Sequence, residues 1–277
     1  MWIKKKEIEQ LSEFVKGYSS GEELDIRVNK EGSFNILKND IYALVNTKNE
    51  QIKAVETERD SLSDYMADIS HQLKTPITSM MIMADLLEEA EPEKQTEFIH
   101  NIQVSLNKME WLVGALLKMA KLDSGTAILQ KEKIFIKELI LHSAEPLAIS
   151  MDLHGVKLCL NGNDTDSFQG DFGWSAEAIT NILKNGIEHM ENGGNLYVSW
   201  SEKSVYSEID IEDEGSGISD EELPHIFERF YRGKTARHSG FGIGMAMAQS
   251  IFAKQNGTIK AQNREEGGAK FVIHVRK

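Results

Sequence analysis

A long heptad repeat of apolar residues is the feature that most constrains how this chain folds. Over residues 41–87 the spacing alternates between three and four, which is typical of a helix that lays a narrow seam against a partner helix. The seam positions are Ile41, Val45, Lys48, Ile52, Val55, Arg59, Leu62, Met66, Ile69, Leu73, Pro76, Met80, Met83 and Leu87. The repeat predicts one helix that begins between residues 33 and 38 and ends near Glu89.

The heptad also predicts where a histidine in its middle lies. With Met66 and Leu73 at position a, His71 falls at position f, which is farthest from the seam and faces water. Thr75 follows one turn later on the same face. Pro76 removes a backbone donor, so the helix should bend just after His71. An exposed imidazole beside a bend indicates a nucleophile that another domain reaches, and the alternative is an ordinary solvated histidine.

A second amphipathic helix follows directly. Pro92 suits its first turn, and Gly125 caps its end. Its heptad comprises Phe98, Ile102, Ser105, Met109, Leu112, Leu116 and Met119, and Leu106, Val113 and Leu117 form a second stripe. A hairpin with such wide apolar coverage cannot bury itself alone. Two copies would form a four-helix bundle, so we predict a homodimer.

The remainder of the chain has mixed α/β character. Strand-like runs at 196–200, 207–211 and 270–275 alternate with helical runs at 136–151, 174–191 and 244–255. We therefore predict an all-α helical hairpin that forms a dimeric four-helix bundle, followed by an α/β two-layer sandwich. The predicted division is 1–37 for a membrane-proximal signal-relay segment, 38–125 for the coiled coil and dimerisation hairpin, and 126–277 for the α/β domain.

Three stretches of the α/β domain carry polar or glycine-rich patterns that suit a bound ligand, and the alternatives are capping or solvated amides, an acidic turn and a chance glycine run. Asn181 and Asn185, with Glu188 or His189, recur at helical spacing and give one polar edge on an apolar helix. In the run 212–218 a carboxylate at a strand end precedes two glycines, which lets the backbone pass close to a flat ligand. The glycine-rich run 240–245 opens a helix, where backbone donors bind phosphate.

Taken in order, these motifs resemble those of the sensor histidine kinases. The run 71–76, His-Gln-Leu-Lys-Thr-Pro, resembles the family's H-box. The run 181–189 resembles its N-box, Asp213-x-Gly-x-Gly its adenine motif, and the run 226–233 its F-box. The resemblance extends from about Asn39 to the end, and it implies the histidine-kinase and gyrase type of ATPase fold.

The resemblance implies a role for each candidate residue. In the family the residue matching Asn185 coordinates Mg²⁺, the residue matching Asn181 holds phosphates, the residue matching Asp213 binds the adenine amino group, and the last arginine of the F-box reaches the terminal phosphate. The nucleotide-binding candidates are Asn181, Asn185, His189, Asp213, Gly215, Gly217, Lys234, Gly240, Gly242 and Gly244, and the metal candidate is Asn185. The catalytic candidates are His71, Gln72, Thr75 and Arg232, and Lys234 begins a lid over residues 234–239.

The expected function is autophosphorylation of His71 from ATP and transfer to an aspartate on a response-regulator receiver domain. Relatives that use water carry a glutamate as general base where Asn181 stands, and an amide cannot take up that proton, so the imidazole is the favoured acceptor. Thr75 matches the position that orients water for dephosphorylation of the regulator. Gln72 replaces a usual acidic residue and Glu188 a frequent lysine, which leaves open an ATP-binding scaffold or a phosphatase-dominated regulator.

Composition restricts the remaining possibilities. The formal charge of −13 argues against direct binding of nucleic acid, and the single cysteine excludes an intramolecular disulfide. Trp2 followed by Lys4, Lys5 and Lys6 is typical of the exit of a transmembrane helix on its cytoplasmic side. We therefore expect the intracellular part of a membrane sensor, located at the cytoplasmic side of the cell membrane.

Overall fold

A computed structural model of the chain describes residues 8, 9, 12, 33–87, 90–233 and 240–276. The chain divides into two compact units, residues 1–69 and residues 70–277. The predicted membrane-proximal segment, 1–37, lies almost entirely outside the described residues, and the three-part division remains a prediction. Within the described ranges no helix is long and apolar enough to cross a membrane.

The first unit is described mainly through helix α1 (Ser33–Leu87), of which it holds the part up to Ile69. The seam residues Ile52, Val55 and Met66 are exposed here. An apolar stripe that one chain leaves in water is what a coiled coil shows when its partner helix belongs to another chain.

The second unit begins with the rest of α1 and continues with helix α2 (Pro92–Asp123). The predicted start of α1 and the predicted bounds of α2 are confirmed, whereas the predicted end of α1 near Glu89 lies outside the described residues. Pro92 lies in the first turn of α2, and Gly125 follows its C-cap with a φ of +69°. Helix α1 continues without interruption across Pro76, so the predicted bend does not divide it into two helices.

Helix α2 presents two different apolar faces. Leu112, Ala115, Met119 and Leu122 are buried at helical spacing and belong to the same core as the α/β elements. The second stripe predicted from the sequence, Leu106, Val113 and Leu117, is exposed. The C-terminal half of α2 is therefore packed on one side and unpartnered on the other.

The α/β part is a five-stranded sheet covered by helices. The helices are α3 (Ile136–Ala144), α4 (Ala148–His154), α5 (Phe172–Glu188) and α6 (Gly244–Lys254). The strands are β1 (Glu132–Phe135), β2 (Val156–Asn161), β3 (Ser167–Gly170), β4 (Gly194–Glu202), β5 (Tyr206–Glu212), β6 (Thr258–Asn263) and β7 (Ala269–Arg276). The predicted helix 136–151 is interrupted by a 3₁₀ turn at Glu145–Leu147, because Pro146 cannot continue the ladder of α3.

The large sheet has the order β2-β4-β5-β7-β6, and β1 pairs with β3 separately. Only β2 and β4 run parallel; the other neighbours are antiparallel. Burial alternates along β4, β5 and β7, because one face packs on the helices and the other meets water. The predicted two-layer α/β sandwich after a helical hairpin is confirmed, and the end of β5 leads directly into the candidate site.

Candidate functional site

A cavity opens between α5, the segment after β5 and the start of α6. Its polar and charged lining residues are Asn181, Lys184, Asn185, Glu188, His189, Asp213 and Glu222. Its other lining residues are Trp111, Gly217, Ile218, Ile226, Tyr231, Gly233, Gly240, Phe241, Gly242, Gly244, Met245, Ala269 and Phe271. The mixture of aromatic rings, glycines and a few polar groups is typical of a small-molecule site.

Helix α5 supplies the polar edge of the cavity. It begins where the Asp171 carboxylate accepts a hydrogen bond from Trp174 N at 2.9 Å, which caps its first turn. Ile179, Ile182 and Leu183 are fully buried on its inner side. The polar residues predicted at helical spacing therefore lie together beside the cavity, while the apolar face fixes the helix on the sheet.

Three consecutive carboxylates at the end of β5, Glu212, Asp213 and Glu214, have three different environments. Glu212 pairs with Lys270 at 2.9 Å and with Arg264 at 3.1 Å. Glu214 accepts from Asn195 N at 2.8 Å and from the Tyr197 hydroxyl at 2.9 Å. Among the three, Asp213 alone lines the cavity.

Asp213 is buried, with 3% of its surface exposed. Its Oδ1 accepts hydrogen bonds from Gly215 N at 2.9 Å and Ala269 N at 3.1 Å. Burial raises the pKa of this carboxyl above its usual value, against the lowering effect of those two backbone donors. No described residue hydrogen-bonds Oδ2, so that oxygen is available to accept a hydrogen bond from a ligand.

Two glycines keep backbone segments close together at this site. A Cβ at Gly268, whose φ is +93°, would overlap the carbonyl oxygen of Asp213. A Cβ at Gly242, whose φ is +70°, would lie 2.6 Å from the carbonyl carbon of Phe230. Phe230 N donates to Gly242 O at 2.9 Å, which joins two described segments on either side of residues 234–239.

Helix α6 begins at the cavity without a side-chain cap. Its first-turn backbone N–H groups are therefore open to an anion, and the helix dipole favours negative charge there. Asn181 lies beside this terminus, with its Oδ1 3.1 Å from the position that a Gly244 Cβ would occupy. Among the described residues, the buried Nδ2 of Asn181 has no hydrogen-bond partner, which marks a donor that a bound group would satisfy.

A metal ion would have to bind with few protein ligands. In the part of the chain that the structure describes, no three carboxylate, histidine or cysteine groups cluster for metal binding. Mg²⁺ commonly takes one or two protein oxygens plus phosphates and waters, so the amide oxygen of Asn185 on the cavity lining fits that requirement.

Helix α2 also contributes to the cavity. The Trp111 ring stacks on Phe241, with 5.7 Å between centroids and 16° between planes. The ammonium of Lys184 lies 5.5 Å from the centroid of Trp111. Farther along α2, Asp123 pairs with Arg229 at 2.7 Å. The hairpin thus touches the cavity lining through one aromatic residue.

The predicted phosphoacceptor segment does not line the cavity. The prediction that the His71 side chain is exposed is confirmed. Thr75 is also exposed, and its hydroxyl donates to the His71 carbonyl at 3.3 Å within the helix. Gln72 is partly buried, and the next residue, Leu73, packs against the shared core.

Most predicted nucleotide-binding residues meet at the cavity. The predicted residues that line it are Asn181, Asn185, His189, Asp213, Gly217, Gly240, Gly242 and Gly244. Gly215 serves the site indirectly through its bond to Asp213, and Arg232 does not line the cavity although its neighbours Tyr231 and Gly233 do. Lys234 and the rest of the predicted lid lie outside the described residues.

The lining residues that the sequence did not single out include Lys184 and Trp111. Lys184 lies three residues after Asn181 on the same helix edge, so helical spacing alone could have identified it. Trp111 is far away in sequence and belongs to another helix, and no local pattern predicts its place on the lining.

Two family models match the chain. Residues 61–125 match the "His Kinase A (phospho-acceptor) domain", and residues 171–277 match the "Histidine kinase-, DNA gyrase B-, and HSP90-like ATPase". The chain is 29% identical over 244 residues to the sensor protein SphS of Synechococcus elongatus, covering 81% of this chain and 58% of SphS. It is 25% identical over 230 residues to the histidine-protein kinase BaeS of Escherichia coli, covering 82% of this chain and 49% of BaeS. The chain thus spans about half the length of these relatives.

Solved structures show the same fold. The histidine kinase AdeS of Acinetobacter baumannii matches with a TM-score of 0.61 and 21% identity, over 74% of this chain and 97% of that one. The histidine kinase ThkA, solved in complex with the response regulator protein TrrA, matches with a TM-score of 0.65 and 19% identity, over 83% of this chain and 66% of that one.

Proposed function

Because the chain belongs to the sensor histidine kinases, with a phosphoacceptor domain ahead of an ATPase domain, we propose that it transfers the γ-phosphoryl group of ATP to His71. The observation that carries the proposal is the cavity. Asp213 provides a buried carboxylate with one oxygen available to a flat base. Gly244 begins a helix whose N-terminus has no side-chain cap and is suited to phosphates.

Each cavity residue has a defined task in this proposal. Asp213 accepts a hydrogen bond from the adenine amino group, and Gly217 lets the backbone approach the base. The first turn of α6 and the Asn181 amide donate to the phosphates. Asn185 holds Mg²⁺, which neutralises charge on the phosphates when bound.

The chemistry of the lining favours a phosphoryl acceptor that needs no base on α5. An amide at Asn181 cannot remove a proton from water, whereas a neutral imidazole nitrogen is nucleophilic without one. In the transfer, a ring nitrogen of His71 forms a bond to the γ-phosphorus, the bond to the β–γ bridging oxygen breaks, and ADP leaves with that electron pair. Arg232 is proposed to move to the terminal phosphate, and Gln72 to orient the ring through its amide. Lys234 and its neighbours are proposed to form the lid.

The exposure of His71 supports transfer to a partner. A phosphorylated imidazole on the water-facing side of α1 is open to the receiver domain of a response regulator, whose aspartate would take up the phosphoryl group. The relative ThkA is a histidine kinase solved with such a regulator. Thr75, one turn from His71, is proposed to orient water when the kinase dephosphorylates the regulator.

The exposed apolar stripes support a homodimer. Leu106, Val113 and Leu117 on α2, with the exposed apolar residues Ile77, Met81 and Leu86 on α1, would be buried when two hairpins form a four-helix bundle. We propose further that this portion works at the cytoplasmic side of a membrane sensor. The sequence signal for that, Trp2 and the lysines after it, lies outside the described residues.

The decisive experiment incubates the protein with Mg²⁺ and γ-labelled ATP and tests whether the label on the protein is acid-labile and base-stable. His71→Gln should abolish the label. His100→Gln is the matched control, because His100 is an exposed histidine on the other helix of the hairpin and should leave the label intact. Label that survives in His71→Gln would refute the assigned acceptor, and no label despite tight ATP binding would favour the scaffold or the phosphatase.

Dephosphorylation is tested separately with Thr75→Ala. This variant should keep autophosphorylation but lose the ability to dephosphorylate a phosphorylated regulator, because only the second reaction needs an oriented water. A Thr75→Ala protein that retains both activities would remove Thr75 from the mechanism.

A further inference from the structure

The cavity proposed to bind ATP has an unusual charge balance for a polyphosphate site. Glu188, Asp213 and Glu222 line it with carboxylates. Among its described lining residues, Lys184 is the single lysine or arginine. A polyphosphate in a cavity that carries three carboxylates needs positive charge close by, and Lys184 is the described lining side chain that can supply it.

Lys184 is held loosely in the structure. Its ammonium lies 3.8 Å from Glu188 Oε1, one turn later on α5, and 5.5 Å from the centroid of the Trp111 ring. Its side chain is 45% exposed. An exposed i,i+4 ion pair and an exposed cation–π contact are both weak, so a ligand with higher charge can take the ammonium from them.

The groups next to Lys184 are donors as well. Asn181, three residues earlier on the same helix edge, has a buried Nδ2 that no described residue hydrogen-bonds. Its amide lies beside Gly244, where α6 begins without a side-chain cap. Backbone N–H groups, an amide and an ammonium thus border one part of the cavity, which is the donor set that phosphate oxygens require.

We propose that Lys184 binds the phosphates of the nucleotide. When the nucleotide binds, the Lys184 ammonium leaves the Trp111 ring of the helical hairpin and contacts the phosphates. The inference rests on the proposed ATP-binding function. Glu188 lies at a position where the resembling family often has a lysine. In this chain the positive charge is on Lys184, one turn earlier on the same helix.

The movement of the Lys184 ammonium away from Trp111 affects a contact between two helices. Trp111 belongs to α2, whose C-terminal half packs on the ATPase fold. If the phosphates and the Trp111 ring compete for the Lys184 ammonium, ATP binding weakens the contact between Trp111 of α2 and Lys184 of α5. By thermodynamic linkage, that contact lowers the affinity for ATP.

The test compares Lys184→Met with wild type by calorimetric titration of Mg·ATP and, separately, adenosine. Lys118→Met is the matched control. Lys118 is 46% exposed and pairs with Glu177 of α5 at 2.8 Å, but it does not line the cavity. We expect the Kd for ATP to rise about tenfold in Lys184→Met, with the Kd for adenosine changed less than about twofold, since a charged hydrogen bond to phosphate is lost and no contact to the base. Both Kd values should be unchanged in Lys118→Met.

Glu188→Gln provides a test of opposite sign. Removal of the carboxylate that both holds Lys184 and repels phosphate should tighten ATP binding about two- to fivefold without changing adenosine binding. An unchanged Kd for ATP in Lys184→Met, equal losses for ATP and adenosine, or no gain in Glu188→Gln would overturn the proposal. A wild-type chain that binds no ATP would instead overturn the proposed function, so the two failures are distinguishable.

Discussion

Asp213→Asn should separate nucleotide binding from folding. The substitution keeps an oxygen where Oδ1 accepts from Gly215 N at 2.9 Å and Ala269 N at 3.1 Å, so the backbone around the cavity is retained. It replaces Oδ2 with an amide donor. That donor would face the amino group of adenine, which is also a donor.

The size of the effect follows from these contacts. A hydrogen bond to a charged acceptor contributes about 1.5–3 kcal/mol, and a buried donor left unpaired costs about 1–3 kcal/mol. Together they amount to about 2.5–6 kcal/mol, which raises the Kd for ATP by a factor of about sixty or more.

Although Asp213→Asn weakens ATP binding, it should leave the stability of the folded protein unchanged or increase it. Burial raises the pKa of Asp213, so its ionised form at neutral pH opposes folding, and this cost disappears as the pH falls through the folded-state pKa. Asparagine carries no such cost. At neutral pH, the melting temperature of Asp213→Asn should therefore equal or exceed that of wild type. This difference in melting temperature should become smaller at acidic pH.

The assays are calorimetric titration with Mg·ATP and thermal melting without nucleotide. Asp210→Asn is the matched control, because it makes the same chemical change on strand β5 at a carboxylate that pairs with Lys270 at 2.7 Å and does not line the cavity. Its Kd for ATP should equal that of wild type. The reasoning is refuted if Asp213→Asn binds ATP normally, or if it melts several degrees below wild type.

Two further substitutions test the packing around the site. Gly268→Ala should lower the melting temperature and weaken ATP binding, because a Cβ at a φ of +93° is strained and would overlap the carbonyl oxygen of Asp213; a fully stable, ATP-binding variant would contradict this. Asp123→Asn should change the free energy of unfolding by less than about 1 kcal/mol, because the side chains of Arg229 and Asp123 are 37% and 42% exposed. A larger loss in denaturant titration would mean that this ion pair stabilises the packing of α2 on the ATPase fold more than its exposure indicates.

Much of the site was predictable because its residues lie on regular elements. Asn181 and Asn185 share an edge of α5 through helical periodicity, and Gly244 opens a helix after a glycine-rich run. Asp213 was singled out only through the resemblance to the family's motif, since Glu212, Asp213 and Glu214 are all carboxylates. Pairing of β5 with β4 and β7 gave the two glutamates other partners and left Asp213 at the cavity.

The sequence by itself determined the two helices of the hairpin, the exposure of His71 and the order of the nucleotide motifs, because periodicity and short-range backbone chemistry act between residues close along the chain. Only the tertiary structure decided that Trp111 lines the cavity, that Lys184 lies against its ring, and that Arg232 stays off the lining. The first two outcomes depend on how α2 packs against the ATPase fold, and such contacts arise between segments whose separation in sequence carries no periodic signal.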